Sequence, residues 1–438
     1  MKQQLKKFGV ISLGCSKNLV DTEMVIGLFR ENGFELVTEA EQADILLVNT
    51  CGFIESAKEE AIQTILEMAE YKKKKCQVLI VMGCLVQRYK TELEKEIPEV
   101  DLWIKFQEYD TFWEQVKTVI EPIQEKKQKL EFTNRVISTG DNFVYVRIAE
   151  GCSNHCTYCA IPSIRGPFVS RTMEDILAET KQYAKDGYQE IILIAQDTTK
   201  YGVDLYGEPK LAELIEQISK IDGVHWIRFL YAYPETITDE LIQVMKNNPK
   251  VCHYWDIPIQ HIADPVLKRM NRKSNGKSIQ ALFQKLRQEI PDVIIRTTVM
   301  VGFPGETQED FEQLQEFVET AKIDKMGAFA YSKEENTPAE RLPNQVHPAT
   351  KKSRYRKIME LQKQISKENL AKKIGQEHEV LIEAKSYDGK YYVGRSYMDV
   401  PEIDGYIWVK ADREVTLGKF YPVQIDQVEE YDLIGHIK

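Results

Sequence analysis

Short apolar runs alternate with amphipathic stretches along the first part of the chain. Phe8 to Leu13, Ile45 to Val48 and Val78 to Met82 are apolar enough to be strands covered on both faces. Between them, Asn18 to Asn32 puts Leu19, Val20, Met24, Leu28 and Phe29 on one side of a helix, and a second helix is predicted from about Ser56 to Glu70. Continuous apolar strands separated by such helices predict a parallel α/β domain over residues 1–120. Glu121 to Ser138 is charged and weakly periodic, which predicts a linker or an exposed hairpin.

The alternation resumes at Phe143. Strands are predicted at Phe143–Ala149, Glu190–Ala195, Trp226–Tyr231, Tyr254–Ile259, Val293–Val301 and Met326–Tyr331. Helices are predicted at Met173–Lys185, Leu211–Lys220, Asp239–Asn247, Lys277–Glu289 and Gln308–Ala321. Successive βα units predict a partial (βα)6 barrel of the TIM type over residues 139–370, with its chemistry at the carboxyl ends of the strands. Gln345 to Ile374 reads as a basic helical connector carrying Lys351, Lys352, Arg354, Arg356 and Lys357. Residues 373–438 change character. Glu379–Glu383, Tyr391–Gly394, Gly405–Val409 and Pro422–Asp426 are short alternating runs between turn residues, which predict a small antiparallel β-barrel.

Composition narrows the class. The 438 residues are 43% hydrophobic and 29% charged, enough for several domains with real cores. A formal charge of −10 gives no global footprint for nucleic acid. No apolar run reaches the roughly 18 residues of a membrane span, and Met1 to Val10 lacks the apolar stretch of a signal peptide. Eight cysteines in such a chain suggest metal ligands or reactive thiols rather than a disulfide framework, and the expected location is the cytosol.

The cysteine spacing carries the chemistry. Cys152, Cys156 and Cys159 lie in one loop just past the first barrel strand, close enough to bend around one soft-metal centre. Three thiolates on a four-iron cluster leave one iron free for another ligand. A structural zinc site with His155 as fourth ligand is the alternative, but no second half of a zinc motif follows. Each strand of the first domain also runs into a cysteine, at Cys15, Cys51 and Cys84, with Gly14, Gly52 and Gly83 beside them. In a parallel sheet these strand ends share the edge where ligands bind, so three distant thiolates converge on a second cluster. Three buried structural cysteines are the alternative there. Cys76 and Cys252 belong to neither set and are expected to be structural, and His155 is expected to be spacer.

A Cys-x3-Cys-x2-Cys loop after the first strand of a six-unit partial barrel resembles the radical S-adenosylmethionine enzymes. Three converging cysteines ahead of it and a TRAM-type β-barrel behind it resemble the methylthiotransferases, across essentially the whole chain. The resemblance implies two [4Fe-4S] clusters. Cys152, Cys156 and Cys159 would hold one, whose open iron binds S-adenosylmethionine and cleaves it to a 5′-deoxyadenosyl radical. Cys15, Cys51 and Cys84 would hold the other, which carries the transferred sulfur, drawn from sulfide or polysulfide. Tyr158, Gln196, Asp197, Gln260, Arg296 and Gly302, the last opening Gly302 to Glu306, resemble cofactor-facing positions.

The family has tRNA-modifying branches, acting on an i6A- or t6A-type adenosine, and a branch that methylthiolates the β-carbon of one aspartate in ribosomal protein S12. From Gln376 to Lys438 there are 13 acidic residues and 7 basic ones, a balance that repels phosphate and attracts a basic ribosomal protein. Ile161 to Gly166, Ala195 to Thr199 and Asp399 to Gly405 resemble the S12-modifying branch, whereas Leu102 to Phe106 is bulkier than the glycine-containing turn of relatives. The expectation is therefore an S12 aspartate methylthiotransferase. It would act as a monomer on free S12 or on the assembled small subunit, take electrons from a donor such as flavodoxin, and have no membrane or direct nucleic-acid partner. A tRNA adenosine methylthiotransferase and a non-enzymic iron–sulfur or zinc ribosome-binding protein are the alternatives.

Overall fold

The computed structural model describes residues 6–437. β1 (Lys7–Ser12), β2 (Glu35–Leu36), β3 (Ile45–Thr50), β4 (Val78–Gly83) and β5 (Leu102–Lys105) form a parallel sheet in the order β2-β1-β3-β4-β5. β3 and β4 are buried at every position, as their unbroken apolar character requires. The helices Ser16–Glu31, Glu55–Glu70 and Cys84–Glu96 follow β1, β3 and β4. Strand order reverses between β1 and β3, the switch point at which a doubly wound sheet opens a crevice at its carboxyl edge. The bulky run Leu102–Phe106 supplies edge strand β5 rather than a turn.

The segment Glu121–Ser138 forms neither a free linker nor a hairpin. It is a strap on the helix Ser16–Glu31. The Arg135 side chain is fully buried, pairing with Glu23 at 2.6 Å and with Glu179 of the central domain at 2.9 Å. The strap lies so close that a Cβ on Gly27 would sit 1.8 Å from the Asn134 carbonyl oxygen.

The central domain contains β6 (Phe143–Arg147), the short pair β7 (Ala149–Glu150) and β8 (Val169–Ser170), then β9 (Glu190–Ile194), β10 (Trp226–Phe229), β11 (Tyr254–Asp256), β12 (Ile294–Val301) and β13 (Lys325–Ala330). Two parallel ladders, β6-β9-β10 and β11-β12-β13, meet at the Ile227–Val251 bridge. Among the described residues no ladder joins β13 back to β6, so the barrel stays open. Alternate residues serve its two faces. Val144, Val146, Ile191 and Leu193 pack under the helices, while Phe143, Tyr145, Ile192 and Ile194 join an inner cluster continuous with the C-terminal domain.

After the long helix Pro348–Ala371, β14 (Glu377–Lys385), β15 (Tyr392–Arg395), β16 (Ile407–Lys410), β17 (Lys419–Val428) and β18 (Leu433–Ile437) close a barrel in the order β14-β15-β16-β18-β17. Every pairing is antiparallel except β16 with β18. Buried charge pairs add to the shared apolar cluster where this barrel docks. Arg395 and Arg228 enclose Glu190 at 2.8 and 2.9 Å, and Lys325 bonds Asp399 at 2.6 Å. Part of the barrel's acidity thus faces inward, while Glu402, Asp412, Glu414 and Glu429 remain exposed. No helix among the described residues is long and apolar enough to cross a membrane.

Candidate active site

Two cysteine triads sit at the carboxyl edges of the two sheets. Cys15 caps the helix that follows β1, Cys51 follows β3, and Cys84 opens the helix after β4. All three are free thiols, graded from exposed Cys15 through half-buried Cys51 to buried Cys84. Glycine lets the chain segments that carry them approach closely. A Cβ on Gly14, whose φ is +94°, would stand 2.8 Å from the Cys51 Cβ, and one on Gly52 would stand 2.7 Å from the Leu85 Cα beside Cys84. Burial pushes the Cys84 thiol up to about 12, with Arg165 pulling the other way, and burial also raises Cys51. Without a metal these thiols are therefore protonated, and loading a soft metal displaces the protons.

The second triad occupies the loop between β7 and the helix Ile161–Arg165. The Cys152 amide donates to the Gly166 carbonyl at 3.1 Å, and the Cys159 amide to the Cys156 carbonyl at 3.1 Å. Thr157 is clamped from two sides, its amide on the Met270 carbonyl and its carbonyl on the Ala339 amide. Cys156 and Cys152 are buried, and Cys156 Sγ lies 3.4 Å from the Tyr233 hydroxyl. Burial pushes the Cys159 thiol up to about 12 and also raises Cys152. Among the described residues no group of His, Cys, Asp and Glu fits a single metal ion. His155 holds the loop through its carbonyl, which accepts from Asn271 Nδ2 at 2.9 Å.

A buried ionic chain joins the triads. Arg165 Nη2 lies 3.7 Å from Cys84 Sγ, 2.6 Å from Asn18 Oδ1 and 2.8 Å from Asp21 Oδ2. Its Nη1 reaches Glu150 at 3.1 Å, and Glu150 accepts from the Gly151 amide beside Cys152 at 3.2 Å. Arg147 repeats the bridge, pairing with Asp21 at 2.5 Å and Glu150 at 2.8 Å. The Arg165 guanidinium also stacks over Phe106, 4.4 Å from the ring centroid, so the bulky residue just past β5 has a packing role. On the outer side, Glu334 from the loop after β13 meets Lys58 and Arg88, each at 3.3 Å, and Arg88 donates to the Gly52 carbonyl at 2.7 Å.

The other expected residues divide. Gln196 lies two residues past β9 at the mouth, its amide donating to Glu150 at 2.7 Å while its buried carbonyl oxygen has no partner. Gln260 follows β11 at a left-handed φ of +69°. Tyr158 packs in the apolar cluster with Cys156 and Phe303. Asp197 is fully buried and holds the cysteine loop, accepting from Asn154 at 2.8 Å and Thr199 at 2.7 Å. Burial raises its pKa. Gly302 is pressed against the Lys351 stem, and its amide donates to Glu306. Arg296 lies toward the C-terminal barrel, pairing with Asp256 at 2.8 Å beside a cavity of about 530 Å³ whose lining contains no cysteine. Cys76 and Cys252 are buried away from both triads.

Sequence reasoning passed over Lys17, Asn18, Asp21, Glu150 and Arg165 as site residues. The available signal was polar residues on the helix Ser16–Glu31 at positions that an amphipathic pattern would leave to solvent. Lys17, Asn18, Asp21, Thr22 and Glu23 are all buried.

Known proteins match this architecture part by part. Residues 7–105 match the uncharacterized protein family UPF0004, 146–318 the radical SAM superfamily and 374–437 the TRAM domain. The ribosomal protein uS12 methylthiotransferase RimO of Alkaliphilus oremlandii is 58% identical over 430 residues, covering 98% of both chains. The chain belongs to the ribosomal protein uS12 methylthiotransferase family. The Acetivibrio thermocellus member is 47% identical over 99% of this chain and 98% of its own. Beyond this methylthiotransferase family, the fold is shared with the radical S-adenosylmethionine methyltransferase TsrM of Kitasatospora setae. That match has a TM-score of 0.57 and 11% identity, covering 77% of this chain and 74% of the other. The cobalamin-dependent radical enzyme OxsB follows at a TM-score of 0.52 and 13% identity, covering 83% and 56%.

Proposed function

We propose that the chain holds one [4Fe-4S] cluster on Cys152, Cys156 and Cys159 and another on Cys15, Cys51 and Cys84, and methylthiolates the β-carbon of an aspartate in ribosomal protein S12. The observation that carries this reading is the pair of free-thiol triads at two carboxyl sheet edges, linked by the Arg165–Glu150 chain. The donor set fits soft iron–sulfur centres, and the glycines beside Cys51 and Cys84 let the strand ends that carry them pack closely, where a Cβ would strike Leu85 or Thr50. When bound, the clusters with S-adenosylmethionine supply a hydrogen-abstracting radical and a transferable sulfur, chemistry that no side chain supplies. The protein's part is orientation. Arg165 places a fixed positive charge beside Cys84, the Thr157 clamps hold the loop, and Gln196 presents a free carbonyl oxygen at the mouth. Exposed Glu402, Asp412, Glu414 and Glu429 favour a basic protein over a phosphate backbone.

The test is anaerobic reconstitution with S-adenosylmethionine, reductant and sulfide, offering S12 and bulk tRNA in parallel. Mass spectrometry should find a methylthio group on one S12 aspartate and none on tRNA, and a tagged adenosine instead would overturn the substrate. Cys152→Ala should abolish S-adenosylmethionine cleavage, while Cys51→Ala should keep cleavage and lose thiolation. Equal loss of both activities in folded variants would refute the division between the triads.

A further inference from the structure

Lys17 breaks a pattern that holds elsewhere in the interior. Among the described residues, every other buried lysine or arginine lies within 3.7 Å of a carboxylate oxygen. Lys17 is 7% exposed, and its Nζ meets only an aromatic face, 3.2 Å from the centroid of Tyr231. Asp21, one helical turn on, is already taken by Arg147 and Arg165. Asn18, the next residue, is committed to the Thr50 carbonyl at 3.0 Å and to Arg165.

The position is as informative as the vacancy of partners. Lys17 lies two residues past Cys15, in the first turn of the helix that carries the first triad. Tyr231 follows β10 at the carboxyl end of the barrel that carries the second. The ring is a fixed platform. Tyr231 has a left-handed φ of +64°, its amide donates to Asp256 Oδ2 at 3.0 Å, and its carbonyl accepts from the Thr198 amide at 3.2 Å. A non-glycine residue held in that conformation at a strand end is a constraint the surroundings impose. The Lys17 stem is buried but its Nζ is not sealed from solvent, so an anion can reach it, and a ring face supplies only part of what an anion would. An incoming carboxylate would complete the coordination with charge-assisted hydrogen bonds.

We propose that Lys17 binds the side-chain carboxylate of the target aspartate and thereby presents its β-carbon between the two cysteine triads. The carboxylate is bonded directly to that carbon, so an ammonium contact on its oxygen holds the reacting atom two bonds away. This inference rests on the reading above that the substrate is an S12 aspartate.

The experiment measures the dissociation constant of the anaerobically reconstituted enzyme for fluorescently labelled S12, and for S12 with the target aspartate replaced by asparagine. The wild-type enzyme should prefer the aspartate form by about tenfold or more, the worth of one hydrogen bond to a charged group. Lys17→Met should bind both forms equally, and Lys17→Arg should keep part of the preference. Iron content and thermal midpoint report folding, and Lys17→Gln serves if the methionine variant does not fold. A Lys17→Met or Lys17→Gln enzyme that keeps the wild-type preference overturns the inference alone, provided that wild-type enzyme methylthiolates S12. Wild-type enzyme that tags tRNA and leaves S12 unmodified overturns the substrate reading and this inference together.

Discussion

Replacing Glu190 with methionine tests how the C-terminal barrel is held. Glu190 is fully buried between Arg228 at 2.9 Å and Arg395 at 2.8 Å, and both guanidiniums are sealed from water. Arg395 keeps a second carboxylate, Glu383, at 2.7 Å. Arg228 keeps only the Tyr397 carbonyl at 2.8 Å and the Tyr254 ring. Stranding a buried charge costs about 3–5 kcal/mol, and the lower end applies because a single guanidinium loses its only carboxylate. At roughly 2–4 °C per kcal/mol for a domain of 150–250 residues, the midpoint of the transition that melts the barrel interface should fall by about 6–12 °C. Differential scanning calorimetry reads this directly. Replacing Glu190 and Arg228 together with apolar residues should recover most of the loss, since Arg395 keeps Glu383 and a buried ion pair roughly breaks even with packing. Acid gives an independent handle. Burial alone would raise the Glu190 pKa, but Arg395 and Arg228 hold it below its ordinary value. The folded state therefore binds this proton less readily than the unfolded chain. The associated stability is complete above about pH 4.3, the ordinary glutamate value, and is lost as pH falls through the folded value. A midpoint shift under about 2 °C for Glu190→Met would refute the sealed-interface account.

Two further perturbations address the centre of the molecule. Arg165→Met should lower the thermal midpoint and the iron retained on the Cys15 triad, because Asp21 and Glu150 are left to Arg147 alone; an unchanged iron content, read by elemental analysis, would count against the bridge. Gly27→Ala should free the strap and expose 121–138 to limited proteolysis, despite alanine's advantage of about 1 kcal/mol in a helix, since its Cβ meets the Asn134 carbonyl oxygen; unaltered protease resistance would show that the strap tolerates displacement.

The architecture was legible where burial acts on whole strands. β3, β4 and β9 read as apolar runs because both of their faces are covered. The cysteines were legible because their spacing has a chemical meaning that needs no coordinates. β18 was missed because Gly435 and His436 interrupt its pattern. Gly435 is there because a Cβ would stand 2.3 Å from the Gln424 carbonyl oxygen where the barrel closes. The parallel pairing of β16 with β18 is a closure property that no single strand encodes. The strap read as solvent-exposed since its charges are local facts, whereas the partners of Arg135, Glu23 and Glu179, lie 112 and 44 residues away. Arg165 and Lys17 escaped notice for the same reason, as a lone cation in sequence gives no sign of what it will face.

The ionic seams limit how this three-part chain trades pieces with its relatives. Glu190 and Arg395 are 205 residues apart and belong to different modules, as do Glu23 and Glu179 on either side of Arg135. Apolar seams tolerate mismatched partners, because any greasy side chain of about the right size fills the gap. A charged seam does not. A chimera that imports a C-terminal barrel without an arginine facing Glu190 leaves that buried carboxylate with Arg228 alone and loses the charge pair that crosses the seam. Recombination between such enzymes should therefore succeed only when both sides of a seam travel together.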